Sequence, residues 1–373
     1  MEKLLVVFSG FNQRAVIAFL RSLHHNCINN YVIIASSEDD TIQYTTYSSK
    51  VFWIRKCKEL NKDEIIQIIL NIKKAFLVNE LLIVPSTESL NRFILKNREE
   101  LESFGCIIPL VNEELYETIS DKHSFWELCS YRRLQVPEIV TDFRNLSLPF
   151  VAKPKKYYSN IGNVYSPIIV NNEQQYQRFI DKYSIDDFDI QEYVSGESYY
   201  LLYYFSKNGN ITKYSQKNLA QQPYGKSILV AEKASIHVLE ISEQYEALLK
   251  DLKFKGFIMI ELRKNNDLYY MIEANPRLWG PSQFFVDSGV PIFEAFLLDY
   301  HFLEKIDQPS IRHDAKYLWS TGSEKGLLHD ESCVWYSNGK EIVEKQWKEF
   351  FAFDVYCRKD TVGIYNREQN EGM

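Results

Sequence analysis

The chain is poor in the features that define several common classes of protein. Its six cysteines are scattered through 373 residues without a Cys-x-x-Cys pair, so neither a zinc site nor a disulfide framework is predicted. The N-terminal LLVVF run is too short for a signal-peptide core, and no later segment approaches the roughly 18 apolar residues of a membrane span. We therefore expect a soluble protein of the reducing cytoplasm with no membrane partner.

Basic blocks and glycine-rich loops are also scarce. The net charge is −7, and no run of Lys and Arg is long enough to suggest a nucleic-acid footprint, so a nucleic-acid partner is not expected. The loop that follows the first apolar run, SGFNQR, has one glycine where a dinucleotide fingerprint needs three in a fixed spacing. This argues against a nicotinamide-dependent dehydrogenase.

Strand-like and helix-like segments alternate along the first third of the chain. Apolar runs such as YVIIAS and LLIVP are separated by helical patterns such as NQRAVIAFLRSL and SLNRFILKNREELESF, which is typical of a parallel sheet covered on both faces. Ligands bind at the carboxyl ends of such strands, where this chain carries Asn12, Arg14 and Glu88. These residues are candidates for an acceptor or carboxylate pocket; the alternative is that they are ordinary loop and capping residues.

The most informative stretch of the chain runs from Gly256 to Gly280, GFIMIELRKNNDLYYMIEANPRLWG. Two segments of alternating character flank a polar Asn-Asn-Asp turn, which predicts a β-hairpin. Glu261 and Glu273 carry charge where these strands should be buried, and Asn275 follows on the same face as Glu273. Two carboxylates and an amide oxygen on paired strands suit a hard cation such as Mg²⁺. The alternative is that both carboxylates are solvent-side residues of an ordinary amphipathic hairpin.

The metal-site hypothesis constrains the register of this hairpin. A two-residue turn at Asn265 and Asn266 would pair Glu261 with Tyr270 and leave Glu273 on the opposite face of the sheet. We therefore predict a connection of three or five residues, or a compensating bulge, with an Asn in the left-handed conformation. A regular two-residue turn with the carboxylates on opposite faces would contradict the metal site.

The end of the second strand, Glu-Ala-Asn-Pro-Arg with a Trp-Gly pair soon after, resembles the metal-binding signature of the ATP-grasp superfamily. The resemblance is close to the carbamoyl-phosphate-synthase-like ligases. It implies that Glu261, Glu273 and Asn275 hold two Mg²⁺ ions, or Mn²⁺ in their place, against the phosphates of ATP. It also implies that Arg277 faces the transferred phosphoryl group or the acyl phosphate.

Two lysines upstream match the phosphate-binding lysines of the same family in the expected order. Lys122 opens a helix-like run, DKHSFWELCSYRRL, for which Asp121 is the predicted N-cap. Lys153 ends an apolar strand, LPFVAK, in a Val-x-Lys-Pro context. By this resemblance both lysines contact the ATP phosphates as point charges, whereas the alternative is two solvated surface lysines.

The segment after the second lysine, YYSNIGNV, stands where the family has a glycine-rich flap over the phosphates. Gly162 is its only glycine, which is a departure from the family pattern. The Ser and Asn residues around Gly162 still allow a flap, because they adopt turn conformations readily. The shortage of glycine is the main support for a protein that binds ATP without catalysing a reaction.

The segment DIQEYVSGES resembles the hinge that reads the adenine edge in ATP-grasp enzymes. By that resemblance Gln191 and Glu192, with the backbone through Tyr193 and Val194, contact the adenine. Glu197 then reaches the ribose hydroxyls. The alternative is an edge strand that ends in a Ser-Gly turn and binds no ligand.

A further segment, QKNLAQQPYGKSILVAE, resembles the family's stretch between the hinge and the metal site. Lys217 matches its basic position, and by this resemblance it has a catalytic role together with Arg277. Lys226 stands where many relatives have the second of two glycines. We interpret Lys226 as an exposed loop lysine in preference to a substrate contact.

The resemblance predicts a fold of the α/β and α+β classes, with an N-terminal parallel-sheet domain followed by a two-lobed ATP-grasp domain. The predicted boundaries are residues 1–117 for the N-terminal domain, 118–195 for the small lobe, 196–300 for the large lobe and 301–373 for a C-terminal extension. No motif in the last segment indicates its role.

The predicted function is that of an ATP-dependent ligase that joins a small-molecule carboxylate to an amine. The resemblance implies that the carboxylate takes the γ-phosphoryl group of ATP, which gives ADP and an acyl phosphate, and that the amine then displaces phosphate. Such chemistry needs cations and metal ligands more than a nucleophile–base pair. A carboxyphosphate-forming enzyme and a non-catalytic ATP-binding regulatory protein are the alternatives, and a homodimer is left open.

Overall fold

The structure is a computed structural model that describes residues 3–140, 146–155, 167–307 and 310–371. Gly162 and the rest of the predicted flap lie outside these residues. Within them, no helix is both long and apolar enough to cross a membrane. Three β-sheets, built from successive parts of the chain, organise the described residues.

A five-stranded parallel sheet forms the N-terminal part of the molecule, as the alternation of apolar runs and helical patterns predicts. Its strands are β1 (Lys3–Phe8), β2 (Tyr31–Ala35), β3 (Val51–Ile54), β4 (Glu80–Ile83) and β5 (Cys106–Ile107), in the spatial order β3-β2-β1-β4-β5. The accompanying helices are α1 (Gln13–His25), α2 (Lys62–Phe76), α3 (Glu88–Lys96) and α4 (Arg98–Ser103). The central strands are buried because α1 covers one face of the sheet and α2 and α3 cover the other.

The run SLNRFILKNREELESF folds as two helices, α3 and α4, and not as the single helix that its pattern suggests. The break is at Asn97, whose side-chain amide donates to the carbonyl oxygen of Phe93 at 2.8 Å. Such a contact competes with backbone hydrogen bonding and favours Asn at a helix end. Helix α3 begins soon after β4, where Thr87 caps it by accepting from the backbone N–H of Leu90.

A small antiparallel sheet follows two short helices in the middle of the chain. The helices are α5 (Glu113–Ser120) and α6 (Lys122–Tyr131), and the sheet consists of β6 (Phe150–Pro154), β7 (Ile168–Val170) and β8 (Phe188–Glu192), with α7 (Glu173–Lys182) before β8. Strand β6 lies at the centre of this sheet. Asp121 caps α6, as predicted, because its carboxylate accepts from the backbone N–H groups of His123 and Ser124.

A seven-stranded sheet, in which all pairings are antiparallel, forms the largest part of the molecule. Its strands are β9 (Glu197–Phe205), β10 (Ile211–Gln221), β11 (Ile228–Lys233), β12 (Gly256–Asn265), β13 (Leu268–Asn275), β14 (Lys316–Leu318) and β15 (Val334–Trp335). The spatial order is β13-β12-β9-β10-β11-β14, and β15 pairs with β10. The segment without a motif therefore contributes two strands to this sheet.

Helices pack on both faces of the large sheet. They are α8 (Glu240–Asp251) on one face, α9 (Gln283–Asp287) and α10 (Ile292–Asp299) on the other, and the C-terminal helices α11 (Gly339–Lys345), α12 (Trp347–Phe351) and α13 (Val362–Glu371). Phe293 of α10 lies between the two large sheets, with ring centres 5.1 Å from Phe19 of α1 and 5.8 Å from Phe257 of β12. This shared core holds the loops after β1 and β4 against the large sheet.

Candidate nucleotide and substrate site

The hairpin of β12 and β13 closes with a two-residue turn, so Asn265 pairs with Leu268. The turn residue Asn266 has φ 53°, in the left-handed region, as predicted. A one-residue shift in β13, which is a β-bulge, then brings Glu261 directly opposite Glu273. Of the predicted arrangements, the compensating bulge is confirmed and the longer connection is wrong.

The extra residue of the bulge is Ile272, and its backbone carbonyl has a partner outside the hairpin. The Nζ atom of Lys153 donates to this carbonyl oxygen at 2.7 Å. Met271 and Ala274 on either side both point into the core beneath α8, so Glu273 is turned to the opposite face. The bulge therefore places a carboxylate and anchors a lysine at the same point.

Glu261 and Glu273 share a face but differ in their electrostatic surroundings. Burial raises the pKa of Glu261; the Arg263 guanidinium, 3.2 Å away, opposes this rise, and the charge of Glu273 adds to it. Burial also acts to raise the pKa of Glu273, but the Lys122 ammonium and the Asn275 amide outweigh it and lower the pKa to about 2. The Lys122 Nζ lies 2.6 Å from a carboxylate oxygen of Glu273. Glu273 is therefore ionised at any physiological pH.

Lys153 lies near Lys122 and both carboxylates and is only 5% exposed. Burial lowers the pKa of Lys153 to about 7, and the positive charge of Lys122 contributes to the same shift. An amine with this pKa is only partly protonated near neutral pH. A bound anion would favour the charged form of Lys153 and raise its pKa.

The candidate ligands for a divalent cation are two carboxylates and one amide. In the part of the chain that the structure describes, no group of three or more His, Cys, Asp or Glu side chains is arranged to hold a metal. The Asn275 amide donates to Glu273 at 2.9 Å and accepts from Arg277 at 2.8 Å. A small set of oxygen ligands fits Mg²⁺, which usually keeps waters and substrate phosphates in its coordination sphere. The side-chain oxygens of Glu261, Glu273 and Asn275 are compatible with such a role.

A cavity between the small sheet and this hairpin, which we call the hinge cavity, collects most of the predicted nucleotide-binding residues. It is lined by Lys122, Pro137, Val151, Lys153, Pro167, Ile169, Gln191, Glu192, Tyr193, Val194, Gln221, Gly225, Glu261, Arg263, Ile272 and Glu273. Both predicted phosphate lysines, all four predicted adenine contacts and both predicted metal carboxylates thus line one cavity.

The predicted adenine hinge leaves one polar atom without a partner. Gln191 is 1% exposed, and its side-chain Oε1 has no hydrogen-bond partner among residues 3–140, 146–155, 167–307 and 310–371. Buried polar atoms are almost always hydrogen-bonded, so a ligand donor is expected there. The backbone N–H of Glu192 already donates to Glu138 O at 3.0 Å. Of the other two residues, Val194 is buried and Tyr193 is exposed.

A second cavity of about 620 Å³ lies where the loops after β1 and β4 meet the large sheet, and we call it the loop cavity. It is lined by Gly10, Phe11, Asn12, Gln13, Arg14, Thr41, Thr87, Glu88, Ser89, Tyr200, Lys226, Ser227, Ile228, Met259, Glu273, Asn275, Arg277, Trp279, Gly280, Pro281, Trp319, Tyr356 and Glu368. All three loop candidates of the sequence therefore line one cavity with Asn275 and Arg277.

Glu273 joins the two cavities. Among the described residues that line them, Glu273 is the one that both cavities share. Lys122 approaches Glu273 from the hinge cavity, whereas Asn275 and Arg277 belong to the loop cavity. The arrangement places two chambers on either side of one ionised carboxylate.

Arg277 is the charged residue of the loop cavity that has a buried donor without a partner among the described residues; the neutral Gln13 Nε2 and Trp279 Nε1 of the same cavity also lack one. Its Nε is buried, lies 3.7 Å from Glu88 and forms no hydrogen bond within the described ranges. Glu88 is already occupied, because it accepts from Arg92 at 2.8 Å and from the Tyr116 hydroxyl at 2.8 Å. The positive charge of Arg277 is therefore open to an anion in the cavity.

Asn12 and Arg14 have different roles in the loop after β1. The Asn12 amide donates to Ser86 O and to Leu278 O, both at 2.9 Å, so it ties this loop to the loop after β4 and to the hairpin. Arg14 is buried, and its guanidinium lies 3.8 Å from the centre of the Trp319 ring. Asn12 is thus mainly a loop-fixing residue, and Arg14 brings a charge to the cavity wall.

Lys217 and Glu197 lie on the opposite face of the large sheet and line neither cavity. Lys217 pairs with Tyr199 in the ladder, whereas Glu261 pairs with the next residue, Tyr200. Because consecutive strand residues alternate between faces, Lys217 points to the α8 side. There its ammonium forms an ion pair with Glu197. This corrects both the catalytic role predicted for Lys217 and the ribose contact predicted for Glu197.

Several cavity residues were not selected from the sequence. Arg263 lies in the hinge cavity, two residues after Glu261 on the same face, and donates to the Tyr336 hydroxyl at 2.6 Å. Strand alternation alone would have identified Arg263. Trp319 and Glu368 line the loop cavity but come from a segment whose place becomes evident only in the folded chain.

The loop lysine of the β10–β11 connection is exposed, in agreement with its interpretation. Lys226 nevertheless borders the loop cavity, next to the buried Ile228. Its ammonium therefore stands at the cavity rim, where solvent screens its charge.

The three sheets and their order define the ATP-grasp fold, as the motifs predict, and enzymes of known structure share it. No protein-family model matches the sequence, and neither does any curated protein. The evidence for the relationship is therefore structural.

Three solved structures illustrate the similarity. Biotin carboxylase from Campylobacter jejuni, determined as a β-γ-ATP complex, is 14% identical over 84% of this chain and 74% of its own, with a TM-score of 0.59. The biotin carboxylase domain of Hydrogenobacter thermophilus 2-oxoglutarate carboxylase, in complex with MgADP, ADP and bicarbonate, is 14% identical over 84% and 73%, with a TM-score of 0.59. L-amino acid ligase from Bacillus licheniformis is 15% identical over 83% and 78%, with a TM-score of 0.57. At these identities the similarity establishes the fold.

Proposed function

We propose that this protein is an ATP-dependent ligase that activates a small-molecule carboxylate as an acyl phosphate for attack by an amine. The observation that carries the proposal is the position of Glu273 on the walls of both cavities. A phosphoryl donor in the hinge cavity would meet an acceptor in the loop cavity at this carboxylate. The fold shared with biotin carboxylase and L-amino acid ligase supports the same class of reaction.

ATP is assigned to the hinge cavity on the chemistry of its walls. The unpartnered Gln191 Oε1 would accept from the adenine amino group, and Ile169 and Val194 supply apolar surface for the ring. Lys122 and Lys153 stand at the end of the cavity next to the carboxylates, where phosphates would lie. The pKa of Lys153, lowered by burial, leaves it ready to gain a proton as the phosphates arrive.

Glu261, Glu273 and Asn275 are the residues that would hold Mg²⁺, and we propose two ions, with Mn²⁺ as an alternative. When bound, the ions would neutralise phosphate oxygens and the charge that moves during transfer. Lys122 forms an ion pair with Glu273, and Arg263 forms one with Glu261. Ions bound to these carboxylates would release both cations to contact phosphate oxygens.

The reaction divides between the two cavities. A carboxylate oxygen of the substrate attacks the γ-phosphorus of ATP, the bond to the bridging oxygen breaks, and ADP leaves. The amine nitrogen then attacks the acyl carbon, phosphate leaves, and the nitrogen releases its proton to give an amide. Arg277, with its unused Nε donor, would stabilise the negative charge of the acyl phosphate.

We propose domain boundaries that follow the sequence prediction, at residues 1–117, 118–195 and 196–300. The segment 301–373 belongs with the large lobe on this proposal, because β14 and β15 pair with strands of the large sheet. It would therefore complete the acceptor site and not form a separate extension.

The test is ADP release from ATP, measured with a panel of carboxylates in the presence and absence of amines and followed by mass analysis of the products. A ligase requires both partners and yields their condensation product with loss of water. ADP release with bicarbonate and no amine would instead favour a carboxyphosphate-forming enzyme. Retained ATP binding without turnover on any pair would favour a regulatory protein.

A further inference from the structure

Residues 310–371 build one end of the loop cavity although they carry no recognisable motif. Trp319, Tyr356 and Glu368 supply the wall there. The segment is fixed to the large sheet because β14 pairs with β11 and β15 pairs with β10. The backbone N–H of Val355 in turn donates to Leu318 O of β14 at 2.8 Å. These side chains are therefore part of the same cavity as Arg277 and not a separate surface.

An indole ring separates two opposite charges at this end. The Arg14 guanidinium lies 3.8 Å from the Trp319 ring centre, and the indole Nε1 donates to Glu368 Oε2 at 3.0 Å. Arg14 is held on its own side by donating to the Tyr317 hydroxyl at 2.9 Å and to Ile228 O at 3.1 Å. Because Trp319 intervenes, the two charges do not neutralise each other by direct contact.

Glu368 is a partly buried carboxylate with one oxygen unused. Its Oε2 accepts from Trp319 and from the Thr321 hydroxyl, whereas Oε1 accepts from no donor among the residues whose positions are described. Burial raises the pKa of Glu368, and the two hydrogen bonds and the charge of Arg14 oppose that rise. A carboxylate in such a place gains from a cation that also donates a hydrogen bond.

The two ends of the loop cavity therefore favour opposite charges. At the end next to Glu273, Arg277 has a free donor, and Glu88 is neutralised by Arg92. At the other end Glu368 has no ion-pair partner within the described part of the chain. Arg14 lies on the face of the Trp319 ring, whereas Glu368 accepts from the indole Nε1, so the preference for a cation is confined to the free Oε1 of Glu368. A substrate carboxylate is attracted to Arg277, and an ammonium group is attracted to this oxygen of Glu368.

We propose that Glu368 binds the ammonium group of the amine substrate and accepts one of its protons at Oε1, which leaves a neutral nitrogen to attack the acyl carbon. The C-terminal segment would thereby select the second substrate of the reaction. This inference rests on the proposed ligase function. It assigns carboxylate activation to the Arg277 end of the loop cavity and amine recognition to the Glu368 end. The expected substrate is an amine that is positively charged in solution.

A purely structural role for Glu368 must be separated from binding, since its hydrogen bonds also join α13 to the loop around Trp319. Two control variants serve this purpose. T321V removes one hydrogen bond to Glu368 and keeps the carboxylate charge. E344Q makes the same chemical change at an exposed position of α11 in the same segment.

The experiment compares two nucleophiles on acyl phosphates formed from ATP and each of the common L-amino acids. L-alaninamide carries an ammonium group and no carboxylate, whereas hydroxylamine is small, uncharged near neutral pH and forms a hydroxamate. In E368Q, the KM for L-alaninamide relative to that for hydroxylamine is expected to rise about tenfold or more, because a charged hydrogen-bond partner is lost. E368D should recover part of this loss, and T321V and E344Q should keep the wild-type ratio.

An E368Q ratio equal to that of the wild type would overturn the inference, and so would an equal loss in T321V. If wild-type protein forms no hydroxamate with any of these L-amino acids, the proposed ligase function fails for this class of carboxylate instead. Calorimetric titration of L-alaninamide in the presence of ATP then decides the role of Glu368 by itself. Binding about tenfold weaker in E368Q supports it, and equal affinity, or no binding to the wild type, contradicts it.

Discussion

The hinge cavity and the loop cavity meet at Glu273 but are assembled in different ways. The hinge cavity draws most of its polar residues from short segments around Lys122, Lys153 and Gln191 and from one hairpin, and β10 adds Gln221. The loop cavity combines side chains as distant in the chain as Arg14 and Glu368. Local patterns therefore specify the first cavity, whereas the second depends on how the N-terminal sheet and the C-terminal segment pack on the large sheet.

Under the proposed function, the two cavities would bind different substrates. The hinge cavity would hold ATP, which every reaction of this class uses. The loop cavity would hold the carboxylate and the amine, which distinguish one reaction from another. Substitutions on the two sides should accordingly change different kinetic constants, and those at the shared carboxylate should change the reaction itself.

The largest effect is expected at Glu273, the residue that both cavities share. Glu273→Gln keeps the shape of the side chain and removes its charge, so ADP release at saturating ATP and Mg²⁺ should fall by about 100-fold or more. The exposed Glu243 on α8 offers a matched control, and E243Q should behave as wild type. Circular dichroism should show both variants folded. Near-normal turnover in E273Q would remove Glu273 from the reaction.

Lys122 and Arg277 lie on opposite sides of Glu273, and their substitutions should affect ATP binding and catalysis separately. Lys122→Ala removes a charge from the hinge cavity and is expected to raise the Kd for ATP about tenfold or more. Arg277→Ala removes a charge from the loop cavity and should lower kcat while the Kd for ATP stays within about twofold of wild type. Equilibrium titration and steady-state kinetics measure the two constants. Equal changes in ATP affinity would contradict the division between the cavities.

A pH dependence is expected from the hinge cavity. Burial holds the pKa of Lys153 at about 7, and nucleotide phosphates favour the charged amine, so ATP binding above that pH takes up a proton. ATP affinity should therefore fall as pH rises above about 7, by at most about tenfold per pH unit. Because the unfolded chain binds this proton more tightly, the ligand-free protein should also gain stability between about pH 7 and the ordinary lysine pKa of 10.5.

Calorimetry in buffers of different ionisation enthalpy counts the protons taken up by Lys153. K153R is the control, because a guanidinium stays protonated and should abolish the uptake. If the wild-type protein binds ATP at mildly alkaline pH without proton uptake, Lys153 does not contact the phosphates.

The smallest effect is expected for Lys217, which the structure places outside both cavities. Lys217→Ala breaks a partly exposed ion pair with Glu197 on the α8 side of the sheet. Its cost in the free energy of unfolding should be no more than about 1 kcal/mol. ADP release should stay within about twofold of wild type, and a loss comparable to that expected for E273Q would restore Lys217 to the reaction.

The sequence could identify the residues that lie next to one another in a motif but not the face on which a strand presents them. Lys217 and Glu261 lie on opposite faces of the sheet because Lys217 pairs with Tyr199 and Glu261 with Tyr200. A difference of one residue in register moves a side chain to the other face of the sheet. No local pattern sets the register of β10 against β9, so the error at Lys217 could not be seen in advance.

The hairpin shows the reverse case, in which chemistry constrained the register. A shared metal required Glu261 and Glu273 on one face, which demanded one residue more than a regular two-residue turn allows. The sequence could not decide whether the turn or the strand would carry that residue. The structure places it at Ile272, where the bulge carbonyl also accepts from Lys153. The sequence could not predict the place of Glu368 in the loop cavity, because only tertiary packing brings its neighbours together.

The most direct test of phosphoryl transfer between the cavities follows an oxygen atom. Substrate carboxylate labelled with ¹⁸O is incubated with ATP, amine and Mg²⁺, and the released phosphate is analysed by mass spectrometry. Activation as an acyl phosphate predicts one ¹⁸O in each phosphate, because the attacking carboxylate oxygen leaves with phosphorus when the amine displaces it. Release of ADP with unlabelled phosphate would contradict the account.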